Sequence, residues 1–391
     1  MKKRIAILGS TGSIGKSLLK IISKNKKDFE VILLTANNNY KELLKQTRSF
    51  KVRNVIIINK KSFLKFKKIN KNKKIKVFSD YSELNKIFKN KIDYVMSSIT
   101  GIEGLEPTYN IIKFTRKIAI ANKETLICAW NLILKELNKN RTDFIPVDSE
   151  HFSLWYGLKN IPNHKIEKIY LTASGGPLLN IDISKFKNIK LSQALKHPSW
   201  KMGKKISIDS CTMMNKVFEV IEAKHIFNLP YKKISILTHP DSYIHAIVKF
   251  TNGMIKIIAH DTSMEIPIFN TIYSNKSKNL VTKKLNLNKL NNLRLNKVNT
   301  KKFPVVNILK TLPLNISLFE TVLVTINDNL VDFFLKKKIR YKDISEIIVK
   351  FVNNKAFLKY KSIKPKKIQD IISVKNHVSY EVKKFLKSVN V

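Results

Sequence analysis

Two carboxylates, Asp148 and Glu150, stand one residue apart in the stretch PVDSEHFSLW, in a chain that carries 74 Lys and Arg against 28 Asp and Glu. FIPVDSE reads as a strand end, and residues two apart on a strand project from one face, so the two acids converge. Converging carboxylates repel unless a proton or a cation lies between them. A third acid favours the cation. NKVFE, on a predicted helix, puts Lys216 and Glu219 three apart on one face with Asn215 beside them. Asp148, Glu150 and Glu219 offer three oxygen ligands with no Cys or His pair nearby, a set that suits Mg²⁺ or Mn²⁺ rather than structural zinc. Taken singly, D-x-E is a solvated strand end and Lys216 with Glu219 a surface pair; the chemical reading rests on the three together.

Small hydroxyls and glycines follow further on. LTASGGP offers Ser174 and two glycines after a strand, and SIDSCTMMNK offers Ser210 ahead of Asn215 and Lys216. Hydroxyls, open backbone N–H groups, an amide and an ammonium make a phosphate cradle, although each is also ordinary turn chemistry. KHPSWKMGKK is polar and loop-like yet holds Trp200 and Met202, as a lid over a ligand would, with His197 reaching inward. The plainer alternative is local packing of Trp200 with a solvated His197.

A second site is written at the start of the chain. GSTGSIG places Gly9, Gly12 and Gly15 after a short apolar strand and at the start of a helix beginning near Ser13. Glycines there let the backbone turn tightly and approach a pyrophosphate, which rests on free N–H groups at the helix N-terminus. An NAD site carries an acid about 20 residues on; here the second strand ends in Thr35, Ala36, Asn37, Asn38 and Asn39, with no carboxylate before Glu42. That neutral turn favours NADP over NAD.

Both sites need elements to position them. Short apolar runs alternate with helical stretches over residues 1–148, the pattern of a doubly wound parallel sheet. The pattern changes in residues 149–274, where KIYLTASGG, KISILTHPDSYIHAIVKF and GMIKIIAHD read as strands of a second sheet around a helical segment, with the lid near 194–205. Residues 275–303 are polar and basic, the expected linker, and 304–391 have the periodicity of a small helical domain. The fold class expected is α/β: a Rossmann-like domain, a central α/β catalytic domain and a helical C-terminal domain.

At 391 residues the chain exceeds the ~250–300 at which a single core stops growing, so several domains are expected. The net charge of +46 raises nucleic acid as a partner, but the lysines run from Lys2 to Lys387 without forming a block, and no recognition helix or aromatic RNA-binding motif is present. Cys128 and Cys211 build neither a disulfide framework nor a zinc site, which suits a reducing cytoplasm. The apolar stretch in MKKRIAILGS is too short for a signal peptide, and no run approaches the ~18 apolar residues of a membrane span. A soluble cytoplasmic protein with no membrane partner is expected.

In this order and spacing, GSTGSIG, ANKE, PVDSEH, SGGP, HPSWKMG and NKVFEVIEA resemble the 1-deoxy-D-xylulose 5-phosphate reductoisomerase family over nearly the whole chain, most strongly from Lys3 to about Met264. The resemblance implies a homodimer that isomerises a small phosphorylated ketose, 1-deoxy-D-xylulose 5-phosphate, and reduces the product to 2-C-methyl-D-erythritol 4-phosphate with NADPH and a divalent metal (Mg²⁺, Mn²⁺ or Co²⁺), in non-mevalonate isoprenoid biosynthesis. It implies that Thr11, Gly12, Ser13 and Ile14 hold the cofactor, with Asn37, Asn38 and Asn39 near its adenosine phosphate, and Asn122, Glu124 and Gly203 completing the set. Asp148, Glu150 and Glu219 match the metal ligands; Lys123, Ser149, Glu150, Ser174, His197, Ser210, Asn215, Lys216 and Glu219 match positions that contact substrate. Lys123, Glu150 and His197 are the expected catalytic group: Lys123 for developing oxyanion charge, Glu150 through the metal, His197 to bind and orient. The chain departs from the family at Asn37 (usually glycine), Glu265 (usually arginine) and Val324 to Asp328.

Two other functions remain open at this level. A basic nucleic-acid-binding protein rests on charge alone. Another NADP-dependent dehydrogenase would explain GSTGSIG but leave the three acids unused.

Overall fold

The structure is a computed structural model that describes residues 2–200, 202–273 and 278–388. Of the stretches singled out above, Lys201 of the expected lid, Ser274, residues 275–277 of the expected linker and 389–391 of the tail lie outside the described residues. By internal contacts the chain divides into two units, Met1–Thr125 with Leu132–Asp148 and Met264–Leu280, and Leu126–Asn131 with Ser149–Ser263 and Val281–Val391.

The first unit is built on strands β1 (Lys3–Leu8), β2 (Phe29–Ala36), β3 (Asn54–Ile57), β4 (Lys76–Phe78), β5 (Tyr94–Ser97), β6 (Lys117–Ile120) and β7 (Asp143–Pro146). They form a parallel sheet in the order β4-β3-β2-β1-β5-β6-β7. A parallel sheet is covered on both faces, so its strands read as continuous apolar runs; Ile5, Ala6, Ile7 and Leu8 are all fully buried. The order reverses between β1 and β5, and ligands of such sheets bind at the C-terminal ends of the strands beside that switch point. Gly9 and Ser98 follow those two strands, so close that a Cβ on Gly9 would lie 2.8 Å from the Ser98 carbonyl oxygen. Helix α1 (Ser13–Ser23) follows the glycine turn, and α2 (Tyr40–Ser49) is capped by Asn39, whose side chain accepts from Glu42 N at 3.2 Å. Helix α3 (Lys123–Lys139) starts under an Asn122 cap.

Helix Glu265–Tyr273, within the stretch assigned from sequence to the central region, packs in this first unit. Lys3 Nζ donates to Ile272 O at 2.7 Å, Tyr94 and Thr271 hydroxyls lie 2.7 Å apart, and Glu265 pairs with Lys20 of α1. Its apolar face, Ile268, Phe269 and Ile272, joins the core formed by β1, α1 and their neighbours.

The second unit contains α4 (Ser149–Gly157) and holds a five-stranded mixed sheet of β8 (Ile166–Ala173), β9 (Ile234–Thr238), β10 (Ile244–Phe250), β11 (Ile255–Ala259) and β12 (Asn296–Lys297), in the order β11-β10-β8-β9-β12. Helices α5 (Lys204–Thr212) and α6 (Met214–Phe227) precede β9 and meet at Met213, whose left-handed backbone (φ 67°) breaks one helix and starts the next. The expected linker has structure of its own: Asn296 and Lys297 pair with Thr238 and Leu237 as an edge strand, two residues too few to show a period in sequence. Beyond it α7 (Phe319–Leu335), α8 (Tyr341–Val352) and α9 (Ile368–Ser388) give the helical end of the chain. No helix of the described residues is long and apolar enough to cross a membrane.

Candidate active site

In the second unit, the Glu150 and Glu219 carboxylates meet at one ammonium. Lys216 Nζ donates to Glu150 Oε1 at 2.9 Å and to Glu219 Oε2 one helical turn along α6. Burial works against the Lys216 charge, but the two carboxylates outweigh it and hold its pKa above the ordinary lysine value. Ser149 donates to Glu150 Oε2 at 2.6 Å, and Asn215 to Glu219 Oε1. The i,i+3 pairing expected of Lys216 and Glu219 is therefore present, at a buried position rather than a surface one.

Glu150, however, is not on a strand. β7 ends at Pro146 and Glu150 lies in the first turn of α4, so its direction comes from the helix and not from strand alternation. The stretch SEHFSLWYG buries residues on most sides, Ser149, His151, Phe152, Ser153 and Leu154 among them, and so lacks the one-sided period that would announce a helix. Asp148 ends the Leu132–Asp148 segment of the first unit, where Lys123 Nζ lies 2.9 Å from its Oδ2.

His151 follows Glu150 in PVDSEH. Its Nε2 lies 2.9 Å from the Glu219 carbonyl oxygen, and Nδ1 lies 3.5 Å from Glu222 Oε2. Since a carbonyl only accepts, Nε2 carries the proton, and His151 ties α4 to α6 at the residues next to and at the two carboxylates.

A second cluster in the same unit joins Ser174 to His197 and lays the glycine turn after Ser174 against the Ser210 backbone. Gly175 and Gly176 take positive φ (77° and 66°), and a Cβ on Gly176 would sit 3.0 Å from both Cys211 Cα and Ser210 O, so only glycine lets the turn lie against α5. Ser174 Oγ lies 2.9 Å from His197 Nε2 and accepts from Gly176 N at 3.1 Å. His197 Nδ1 accepts from Ser199 N at 3.2 Å and Trp200 N at 3.0 Å, which fixes the proton on Nε2. Burial lowers the His197 pKa to about 4, so the ring is neutral near pH 7. With two donors on its oxygen, the Ser174 hydroxyl keeps its own proton for a third partner. Trp200 packs edge-on against His245 (ring centroids 6.2 Å), which stacks on His260 at 3.7 Å. Gly203 caps α5 in this unit.

In the first unit, Gly9 (φ 79°) begins the turn and Gly12 caps α1. A Cβ on Gly15 would meet Ser10 Cα at 2.6 Å, so α1 can start this close to β1 only without one. Thr11, Gly12, Ser13 and Ile14 are exposed or half-buried, and Asn37, Asn38 and Asn39 are exposed. Asn122 donates to Gly101 O at 2.7 Å and accepts from Thr125 N at 2.7 Å, joining the loop after β5 to the start of α3, where Lys123 and Glu124 are buried. Thr35, Gln46 and Tyr81 hold the turn from behind, a role that nothing in the sequence announces.

The residues fit both expected groups. Carboxylates that converge on a cation in a buried site are a hard donor set for a divalent ion, and a glycine cradle that any Cβ would fill, at a helix N-terminus beside the switch point, fits a dinucleotide.

Comparisons with known proteins agree. Family profiles described as 1-deoxy-D-xylulose 5-phosphate reductoisomerase match residues 5–130, and its C-terminal domain profiles match 144–227 and 261–380. A reductoisomerase of Pelagibacter ubique is 56% identical over 382 residues, 97% of this chain and 98% of the relative, and one of Phocaeicola vulgatus is 38% identical over 92% and 94%. Among solved structures, a reductoisomerase in complex with NADPH, fosmidomycin and magnesium superposes with a TM-score of 0.91 at 27% identity over 99% of each chain. The Zymomonas mobilis enzyme in complex with NADPH gives 0.87 at 29% over 99% of this chain and 100% of that one. This chain belongs to the 1-deoxy-D-xylulose 5-phosphate reductoisomerase family.

Proposed function

We propose that the chain converts 1-deoxy-D-xylulose 5-phosphate to 2-C-methyl-D-erythritol 4-phosphate in isoprenoid biosynthesis, using NADPH and a divalent metal. The observation that carries this reading is the meeting of Glu150 and Glu219 at the buried Lys216 ammonium, in a chain of this family. Asp148, Glu150 and Glu219 are the metal ligands. When bound, NADPH supplies the hydride and the metal, Mg²⁺ with Mn²⁺ or Co²⁺ as alternatives, supplies Lewis acidity toward the substrate's carbonyl and hydroxyl oxygens.

The chain's own residues do the rest. Ser174, Ser210, Asn215 and Lys216 hold the phosphate, where the free Ser174 proton and the Lys216 charge are directed donors. Neutral His197 orients Ser174 and bears on the substrate through the loop that carries Trp200, and Ser149 steadies Glu150. Lys123 stabilises oxyanion charge, because a buried ammonium beside Asp148 acts in a low-dielectric surrounding. Thr11, Gly12, Ser13 and Ile14 take the pyrophosphate, Asn37, Asn38 and Asn39 the adenosine phosphate, and Asn122, Glu124 and Gly203 complete the cofactor contacts. Residues 194–205 close over the substrate and exclude water. A cytoplasmic homodimer completes the reading, supported by family membership.

The test is NADPH oxidation by the purified protein with 1-deoxy-D-xylulose 5-phosphate and Mg²⁺ or Mn²⁺, repeated with a chelator. Oxidation that stops with chelator and returns with metal is expected. None in a folded protein, or oxidation indifferent to the chelator, would reject the reading.

A further inference from the structure

The glycine turn is held by side chains that belong to no cofactor motif. Thr35, penultimate in β2 and fully buried, takes the Gly9 N–H on its Oγ1 at 2.9 Å. Its carbonyl takes the Ser10 N–H at 2.9 Å and the Ser10 hydroxyl at 3.2 Å. Tyr81 donates to the same Thr35 Oγ1 at 3.0 Å. Burial pushes the Tyr81 phenol up to about 12, so it is a donor across the neutral range. From α2, buried Gln46 shares that one Ser10 hydroxyl proton, its Oε1 lying 2.8 Å from Ser10 Oγ, and donates to the Ser10 carbonyl at 3.0 Å.

The held residues set the next ones. Gly9 O accepts from Gly12 N at 3.1 Å, and Gly12 O from Lys16 N at 3.0 Å, so the first turn of α1 is referred back to Gly9. Ser98 O blocks the other side of Gly9. The N–H groups of that first turn have no partner within the helix, and where they point depends on the placement of Gly9, which rests on the Thr35 hydroxyl.

We propose that Thr35, oriented by Tyr81, is a positioning residue of the cofactor turn that sets NADPH affinity without touching the cofactor. The inference rests on the reading of this turn as the NADPH site. A valine at 35 would leave the Gly9 N–H and the Tyr81 hydroxyl without their acceptor, and a serine would keep it.

The experiment titrates NADPH fluorescence against substrate-free wild type, Thr35→Ser, Thr35→Val, Tyr81→Phe and the Thr35→Val/Tyr81→Phe double variant, with melting temperatures, kcat and both KM values alongside. Thr35→Val should weaken NADPH binding roughly tenfold and Tyr81→Phe about threefold, while Thr35→Ser stays within about twofold of wild type. The double variant should bind no more weakly than Thr35→Val alone, because Tyr81 acts through the hydroxyl. The KM for NADPH should follow these affinities, with kcat and the KM for the sugar phosphate little changed. Wild-type affinity in Thr35→Val, equal losses in Thr35→Ser and Thr35→Val, or additive losses in the double variant would overturn the inference. Should Thr35→Val fail to fold, wild-type affinity in Tyr81→Phe overturns it alone. A wild-type protein that does not bind NADPH rejects the functional reading instead.

Discussion

His197 Nε2 donates to Ser174 Oγ at 2.9 Å while its Nδ1 accepts two backbone N–H groups, from Ser199 and Trp200. Protonating Nδ1 would set a third donor against those two, so the loop holds only around a neutral ring. Burial lowers the His197 pKa from 6.5 to about 4. Between those values the unfolded chain binds more protons, so the stability His197 contributes is complete above pH 6.5 and is lost as pH falls toward 4. Melting curves of wild type should therefore fall faster than those of His197→Gln over that window, and run parallel above it. A limb near pH 6.5 in kcat/KM that disappears in His197→Gln would show instead that the ring titrates at its ordinary pKa in the folded enzyme.

Removing the Glu219 charge separates metal from cofactor. Glu219→Gln keeps one acceptor oxygen, enough for either Lys216 or Asn215 but not both, and halves the charge that faces the ammonium. Metal-dependent turnover should fall by at least about 100-fold, more than loss of an outer partner of a ligand costs, with NADPH affinity unchanged. Turnover within a few-fold of wild type would remove Glu219 from the metal.

Two glycines with positive φ give a controlled comparison of strain and space. Gly253 (φ 86°) has nothing within 4 Å of an added Cβ, whereas one on Gly176 (φ 66°) meets Ser210 O and Cys211 Cα at 3.0 Å, backbone atoms that cannot swing aside. Gly253→Ala should cost about 1–2 kcal/mol, the left-handed penalty alone. Gly176→Ala should cost more, and should also raise the KM for the sugar phosphate by displacing Ser174. Equal destabilisation in urea unfolding would mean that α5 yields.

What the sequence revealed followed what is local. Apolar β-branched runs announced the parallel sheet, and GSTGSIG announced both the turn and a helix at Ser13, because the glycine requirement is written into the residues that need it. The acids Glu150 and Glu219 could be named, but Glu150 was put on a strand, since a helix buried on most sides has no period to read. The sequence reading assigned helix Glu265–Tyr273 to the central region, while its packing on α1 depends on contacts across some 245 residues that no local pattern encodes. Thr35 and Tyr81 were silent for the same reason: a threonine in a strand and a tyrosine in a loop are ordinary until one hydroxyl is seen under Gly9 and the other upon it.

Away from both sites, Glu320 in the first turn of α7 is fully buried, and burial raises its pKa from 4.5 to about 7 against the opposing hydrogen bonds of Ser317 and the charge of Lys224. The neighbouring His225 Nε2, 3.8 Å away, gives no compensating charge, because burial lowers that ring to about 3. A raised acid holds its proton better folded than unfolded, so its contribution is fully present below pH 4.5 and is lost as pH rises through about 7. Glu320→Gln keeps an acceptor for Ser317, which donates to Glu320 Oε2 at 2.7 Å from its hydroxyl and 3.1 Å from its N–H, and has nothing to ionise. Its stability relative to wild type should therefore rise from pH 4.5 to about 7, by up to a few kcal/mol, and level off above. A difference between the two unfolding curves that stays flat across that range would mean that Glu320 ionises in the folded protein as it does in the unfolded chain.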